Sequence, residues 1–196
     1  MYSRDVPRIK SYVEAGGPDA LVDVGVFVLS TIRVPFSRVA PMVAEVKQCG
    51  ENATCLWGFK REGYRHLQTN RLSLYQKLVE APVGRSEALL EVSKTPGLGL
   101  VKAGFLLQCL GYETACMDSH NVKRYGINPK VVRTTGKLTE EKVNDYLAVC
   151  DSLGTTESHW DTWCSYVAGK RHNKLLTDSD KVSAYHFTSI TGEQHD

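Results

Sequence analysis

The sequence predicts an all-α protein, and three observations carry that prediction. Apolar residues recur at helical spacings along most of the chain, few stretches alternate with period two, and glycine and proline fall where helices of ordinary length would end. Val6 to Ala15 reads as a short helix stopped by Gly16-Gly17-Pro18. Asp19 is placed to cap a strongly apolar helix through Ile32, with Pro35 as its stop because proline has no N–H to continue the ladder. Residues 36–49 form an amphipathic helix closing near Gly50. Within Arg61 to Ala81, Leu67, Leu74, Tyr75 and Leu78 make an apolar stripe, and Pro82 and Gly84 break the chain beyond it. Ser86 to Lys94 and Leu100 to Leu110 are two short helices joined by Thr95-Pro96-Gly97-Leu98-Gly99. After Gly111, a helix is expected from Asp118 or Ser119, then a basic connector over 127–137. Thr139 caps a helix to about Leu153, and Glu157 to His172 makes the next. A polar tail over 177–196 follows, in which Tyr185 to Ile190 is expected as a short extended or docked segment.

A chain of 196 residues with 42% hydrophobic and 23% charged residues suits one domain with a real core, so 1–196 is expected to be a single helical domain. Nine Tyr, five Phe and three Trp exclude pure disorder. The longest apolar run, Val24 to Leu29, falls far short of the roughly 20 residues that span a bilayer, so no membrane partner is expected. No basic-then-apolar segment opens the chain, and it is expected to stay in the cytoplasm. The six cysteines form no CxxC and no zinc or iron–sulfur ligand set; reduced, mostly buried thiols and no metal are expected. The net charge of +2 hides a segregation along the chain. Lys102 to Lys137 carries six basic residues against Glu113 and Asp118, whereas Leu138 to Trp163 carries six acidic residues against one lysine. One face can therefore meet an anion, although on charge alone two solvated faces are the preferred reading.

The segment from Glu87 to Ala103 has a readable physical design. Its first helix offers Leu89 and Val92 to a core, and a tight hairpin follows in which Gly97 and Gly99 allow backbone conformations and close approaches that other residues resist. Unbonded N–H groups open the second helix beside the positive end of its dipole, which is a seat for phosphate. Leu98 points back between the two helices. Nineteen residues after Gly99 stands Asp118, in Ala115-Cys116-Met117-Asp118-Ser119-His120-Asn121-Val122-Lys123-Arg124. An aspartate there caps a helix, and it can also serve as a catalytic carboxylate.

Pro96-Gly97-Leu98-Gly99 resembles the hairpin of a helix-hairpin-helix motif. Together with the Asp118-Ser119-His120 turn and its basic helix, it resembles the helix-hairpin-helix DNA glycosylase superfamily over Glu87 to Gly126, about a fifth of the chain. The resemblance implies a two-lobed helix-hairpin-helix DNA glycosylase-like fold, with the hairpin motif at 86–111, the loop and helix bearing the catalytic Asp118 at 115–126, and C-terminal helices over 139–172. It implies that Pro96, Gly97, Leu98, Gly99, Lys102, Lys123 and Arg124 hold the backbone of double-stranded DNA. Ser119, Asn121 and Trp163 would line the pocket for an extruded base, with His120 a weaker catalytic candidate beside Asp118. No cofactor is implied for the chemistry, although a monovalent cation at the hairpin is consistent with it. The pair Asp118 and His120 lacks the further spaced ligands of a metal site.

Departures from the superfamily narrow the activity. Bifunctional members carry a nucleophilic lysine where this chain has Val101, and Lys102 is the next residue, about 100° further round the helix. The interval from hairpin to Asp118 is about one residue short. The four-cysteine cluster of some members is absent. Trp160-Asp161-Thr162-Trp163-Cys164 looks like bacteriophage relatives that hypermodify thymidine, of the amino acid:DNA transferase and glutamyl-putrescinyl thymine pyrophosphorylase type. These attach an amino acid or polyamine to a phosphorylated 5-hydroxymethyluracil, on which an upstream kinase has acted. The leading expectation is therefore a DNA-acting transferase. The alternatives are a monofunctional DNA glycosylase and a non-catalytic DNA-binding module. On the last predicted helix, Trp160 reads as core, whereas Trp163 and Tyr166 are candidates for stacking on bases. Lys170, Arg171 and Lys174 would contact phosphates or satisfy the helix C-terminus.

Overall fold

The computed structural model of the protein describes residues 2–132, 136–172 and 189–191, the side chains of 165–172 excepted. Arg133, Lys174, most of the 177–196 tail, and the side chains of Tyr166, Lys170 and Arg171 lie outside the described residues. The described elements are all helical: α1 (Tyr2–Ser30), α2 (Val39–Cys49), α3 (Phe59–Tyr75), α4 (Arg85–Val92), α5 (Leu100–Cys109), α6 (Ser119–Tyr125), α7 (Pro129–Val132), α8 (Glu140–Leu153) and α9 (Thr156–His172). Short 3₁₀ turns at Phe36–Arg38 and Gly50–Asn52 flank α2.

Most predicted boundaries fall within a few residues of these. Helix α1 is two helices meeting at Gly17, whose φ of 66° only glycine takes easily. Pro18 opens the second part, as proline does at a first helical position, so Asp19 lies inside the first turn rather than capping it. Asp19 instead pairs with Arg71 of α3 at 3.1 Å. The stripe of α3 continues past Tyr75 not as an α-helix but as a π turn, Gln76–Glu80. The chain widens there as it approaches Pro82, which cannot supply the next N–H. Thr139 caps α8, its hydroxyl accepting from Lys142 N at 3.4 Å.

Helix α1 packs on α2, α3, α5 and α9, while α4 lies against α5 and α8. The centre is aromatic. Phe105 of α5 meets Trp163 at 4.4 Å between ring centroids, Trp160 at 5.7 Å and Phe27 at 5.8 Å. Phe36 adds an edge contact to Trp163 at 5.7 Å. Buried Asp5 accepts a hydrogen bond from Trp160 Nε1 at 3.3 Å, giving the indole its polar partner. Rings of this size dominate core energetics, so α9 is tied to α1 and α5 chiefly by its two tryptophans.

Arg85 joins α4 to α8 by a two-pronged bond to Asp151, at 2.9 and 2.5 Å, and this holds the Asp151 carboxyl below its usual range. His159 is buried between Tyr125 Oη, 2.8 Å from Nδ1, and the Cys150 carbonyl, 3.0 Å from Nε2. With Nε2 donating to that carbonyl, Nδ1 accepts from the tyrosine and the ring is neutral. Burial pushes its pKa down, so below the ordinary value of 6.5 the unfolded chain binds the proton first. Stability is expected to fall as the pH drops below about 6.5. His159→Gln, which cannot charge, should flatten that slope in urea titrations at stepped pH; an unchanged slope would show that His159 does not carry it.

Candidate functional site

Between α5 and α6 the chain runs extended through Thr114-Ala115-Cys116-Met117, all four residues buried. No strand among the described residues receives its backbone groups, and side chains do so instead. Thr156 Oγ1 donates to Thr114 O at 2.9 Å, and Tyr146 Oη donates to Ala115 O at 2.7 Å. Gln108 Oε1 accepts from Cys116 N at 2.8 Å, while Asn121 Nδ2 donates to Cys116 O at 2.6 Å. Tyr146 Oη also accepts from Met117 N at 3.2 Å. Gln108 closes the clamp by donating through Nε2 to Thr156 O at 3.2 Å. Four helices, α5, α6, α8 and α9, thus contribute one side chain each to hold one loop.

Gly104 makes the clamp geometrically possible. A Cβ at Gly104 would overlap the Ala115 carbonyl oxygen and stand 3.2 Å from both Thr114 Oγ1 and Tyr146 Oη. Helix α5 therefore meets the extended segment backbone to backbone, and the phenol of Tyr146 reaches across it.

The clamp delivers Asp118 to the start of α6. Asp118 is its N-cap: one carboxylate oxygen, Oδ1, accepts from His120 N at 2.9 Å and Asn121 N at 3.2 Å. No described residue donates to Oδ2. The half-buried carboxylate is thus fixed through one oxygen and open through the other. His120 is half-buried beside it and Ser119 is exposed, so both share the rim of the Asp118 loop. Asn121 is fully buried, with Nδ2 spent on Cys116 O and Oδ1 lacking a hydrogen-bond partner. It belongs to the clamp rather than to an open pocket wall.

The hairpin lies at the other end of α5. Gly97 has φ 86°, and a Cβ there would come within 2.6 Å of Phe59 Cδ2. Gly99 departs from expectation, because its φ of −60° and ψ of 174° are open to any residue. What Gly99 provides is bare surface, since a Cβ there meets nothing within 4 Å. Leu98 is wholly buried, and half-buried Pro96 turns its carbonyl toward Gly63 of α3, where a Cβ would overlap it. Lys102 N and Ala103 N both bond Gly99 O, leaving the amides of Gly99, Leu100 and Val101 ahead of the first helical acceptor.

Lys102, one turn into α5, sets its Nζ 5.3 Å over the Phe105 ring. The buried Cys116 thiol is pushed up to about 12, mainly by burial, and it feels both the Lys102 cation and the Asp118 carboxylate. Lys102 stands about 160° round α5 from Gly104, the residue that meets the Asp118 loop, so its place on the helix is off that face.

Other expected site residues lie elsewhere. Trp163, expected at the pocket, is only 4% exposed, because Phe105 and Phe36 enclose its ring; it has no face to offer a base. Trp160 is core as expected. Exposed Lys123 and Arg124 occupy the last turn of α6, opposite the Asp118 end, where cations suit the helix dipole. Arg124 is engaged with Thr162 Oγ1 of α9 at 2.5 Å. The signal of the bracing side chains Gln108, Tyr146 and Asn121, polar residues at core spacings on three helices, is legible only with the helices docked.

All six cysteines are free, and the buried Cys109, Cys150 and Cys164 thiols are held up by desolvation. Among the described residues no cluster of three or more His, Cys, Asp or Glu could hold a metal ion, and no helix is long and apolar enough to cross a membrane. No family model, no curated protein and no solved structure matches the chain.

The clamp has two direct tests. Tyr146→Phe strands Ala115 O and Met117 N in the interior, and should cost about 2 kcal/mol in urea unfolding with an unchanged m-value. Gly104→Ala would stabilise an ordinary exposed helix interior by about 1 kcal/mol, but here should destabilise by roughly 1–3 kcal/mol through overlap with Ala115 O. A stabilised Gly104→Ala protein would contradict the close approach.

Proposed function

We propose that the protein is a DNA-base-modifying enzyme with a two-lobed, helix-hairpin-helix glycosylase-like fold, in which Asp118 acts on a nucleotide extruded from double-stranded DNA. The observation that carries this reading is the Asp118 carboxylate itself, capped through Oδ1, with no described donor to Oδ2, and borne by a loop that packs on α5, the helix that the hairpin opens. Capping alone needs no clamp from four helices. A carboxylate asked to meet a reacting atom does, because a misplacement of about 1 Å can cost roughly 10²-fold in rate.

In the transfer reaction, an amine of an amino acid or polyamine attacks the 5-methylene carbon of a phosphorylated 5-hydroxymethyluracil. The C–N bond forms as the C–O bond to phosphate breaks, and phosphate leaves with the electron pair. Asp118 Oδ2 orients the amine and takes its proton. Lys102, in the first turn of α5 behind the hairpin, meets a phosphate of the DNA backbone. The exposed backbone of Gly97 and Gly99, with the free amides that open α5, seats a DNA phosphodiester, as an unbonded helix N-terminus does. No cofactor enters this scheme.

The test is mass spectrometry of nucleosides from DNA carrying phosphorylated 5-hydroxymethyluracil, incubated with the protein, amino acids and polyamines. A heavier thymidine derivative is expected, and Asp118→Asn should reduce it by about 10² or more. Asparagine caps helices as well as aspartate, so fold and DNA affinity should survive that change. Free base and abasic sites would reassign the same carboxylate to hydrolysis of the glycosidic bond. A fully active Asp118→Asn protein would sink both chemistries.

A further inference from the structure

Lys60 is the least explained residue of the structure. It lies in the first turn of α3 with none of its surface exposed, and its Nζ has no hydrogen-bond partner. Buried ammonium groups are normally paired, because an isolated charge in the interior is strongly unfavourable. The nearby Cys55 thiol is no counterion: burial, with Glu45 next to it, pushes its pKa up to about 11, so it stays protonated. Glu45 itself is spent on Thr54, whose N and Oγ1 both donate to it.

Lys60 Nζ turns back toward the helix start, lying 5.6 Å from the Trp57 ring centroid. There the N-cap is Gly58, with φ 51° and no side-chain hydrogen bond to the helix amides. A Cβ at Gly58 would meet nothing within 4 Å, so the helix start is open on that side. The next residue, Arg61, has a buried Nε that is likewise unbonded. Trp57 covers the lysine, yet its indole is 52% exposed, the most exposed aromatic side chain among the described residues. Its ring stands 5.7 Å from Phe59, which in turn lies against Gly97 of the hairpin. The covered cation and the hairpin therefore share one surface.

We propose that the start of α3 is a second phosphate-binding site, in which Lys60 and the Phe59 amide take a phosphate group of a nucleic-acid strand while Trp57 swings on Gly58 to stack on the neighbouring base. The inference rests on reading the hairpin as a nucleic-acid-binding element. A phosphate supplies the counter-charge that the fold withholds from Lys60, and an aromatic face beside it suits a nucleotide better than a bare carboxylate.

Lys60→Met keeps the length and removes the charge. Freed of an unpaired buried cation, this variant should melt higher than the wild type yet bind a DNA duplex about tenfold more weakly. Its slope of log affinity against log salt should be shallower by about 0.9, one phosphate contact. Lys60→Arg should keep that slope. A separate titration with inorganic phosphate needs no variant: it should shift the emission of Trp57, since Trp160 and Trp163 are buried. DNA binding that depends on Gly97 but is indifferent to Lys60→Met, with a flat phosphate titration, overturns the site and leaves the functional reading standing. Stabilisation by inorganic phosphate through Lys60 in a protein that binds no DNA upholds the site for a free phosphate and overturns the reading of the hairpin.

Discussion

The interaction on which the rest depends is the satisfaction of a buried, strandless stretch of backbone. Thr114 to Met117 run extended through the interior, where each unbonded amide or carbonyl would be strongly destabilising. The described residues include no sheet edge to receive such a segment. Here Gln108, Asn121, Tyr146 and Thr156 supply the partners instead. Because each comes from a different helix, the loop cannot form until α5, α6, α8 and α9 have docked. The same bonds that complete the fold also set the direction in which Asp118 leaves the clamp.

Two kinds of constraint meet at α5. At its C-terminal half, Gly104 lets the helix touch the Asp118 segment, and Phe105 carries the aromatic core formed with Trp160 and Trp163. At its N-terminal end, the hairpin is held on α3 by two close approaches, Gly63 under Pro96 and Gly97 over Phe59. A displacement of α5 along its axis would therefore move hairpin and carboxylate together. On the reading proposed above, that coupling keeps the grip on the DNA backbone in register with the reacting base.

The helical class, the break at Gly17 and the caps at Asp118 and Thr139 are legible in the sequence because each rests on local chemistry: a backbone torsion, a missing N–H, or a side chain reaching two or three residues ahead. The hairpin is legible for the same reason, although Gly99 is there for its bare surface and not its torsion. Trp163 is not legible as core. Its helix is aromatic on adjoining faces, and only docked Phe36 and Phe105 decide which of them faces inward. Gly104 reads as a weak spot in a helix until Ala115 is placed against it. Lys60 reads as an ordinary surface lysine in a charged run, Lys60-Arg61-Glu62, and only the fold around Trp57 removes it from water. Where the signal depends on docked neighbours, sequence periodicity cannot carry it.

Amide hydrogen exchange at Cys116 and Met117 tests the central claim most directly, that the Asp118 loop is clamped rather than merely folded over the site. Their N–H groups bond Gln108 Oε1 and Tyr146 Oη inside the protein. The account predicts that both exchange only by global unfolding, with protection equal to that of the α5 core amides such as Leu106 and Leu107 and declining in step with added denaturant. Exchange of Cys116 and Met117 by local opening, orders of magnitude faster than α5 and insensitive to denaturant, would contradict it.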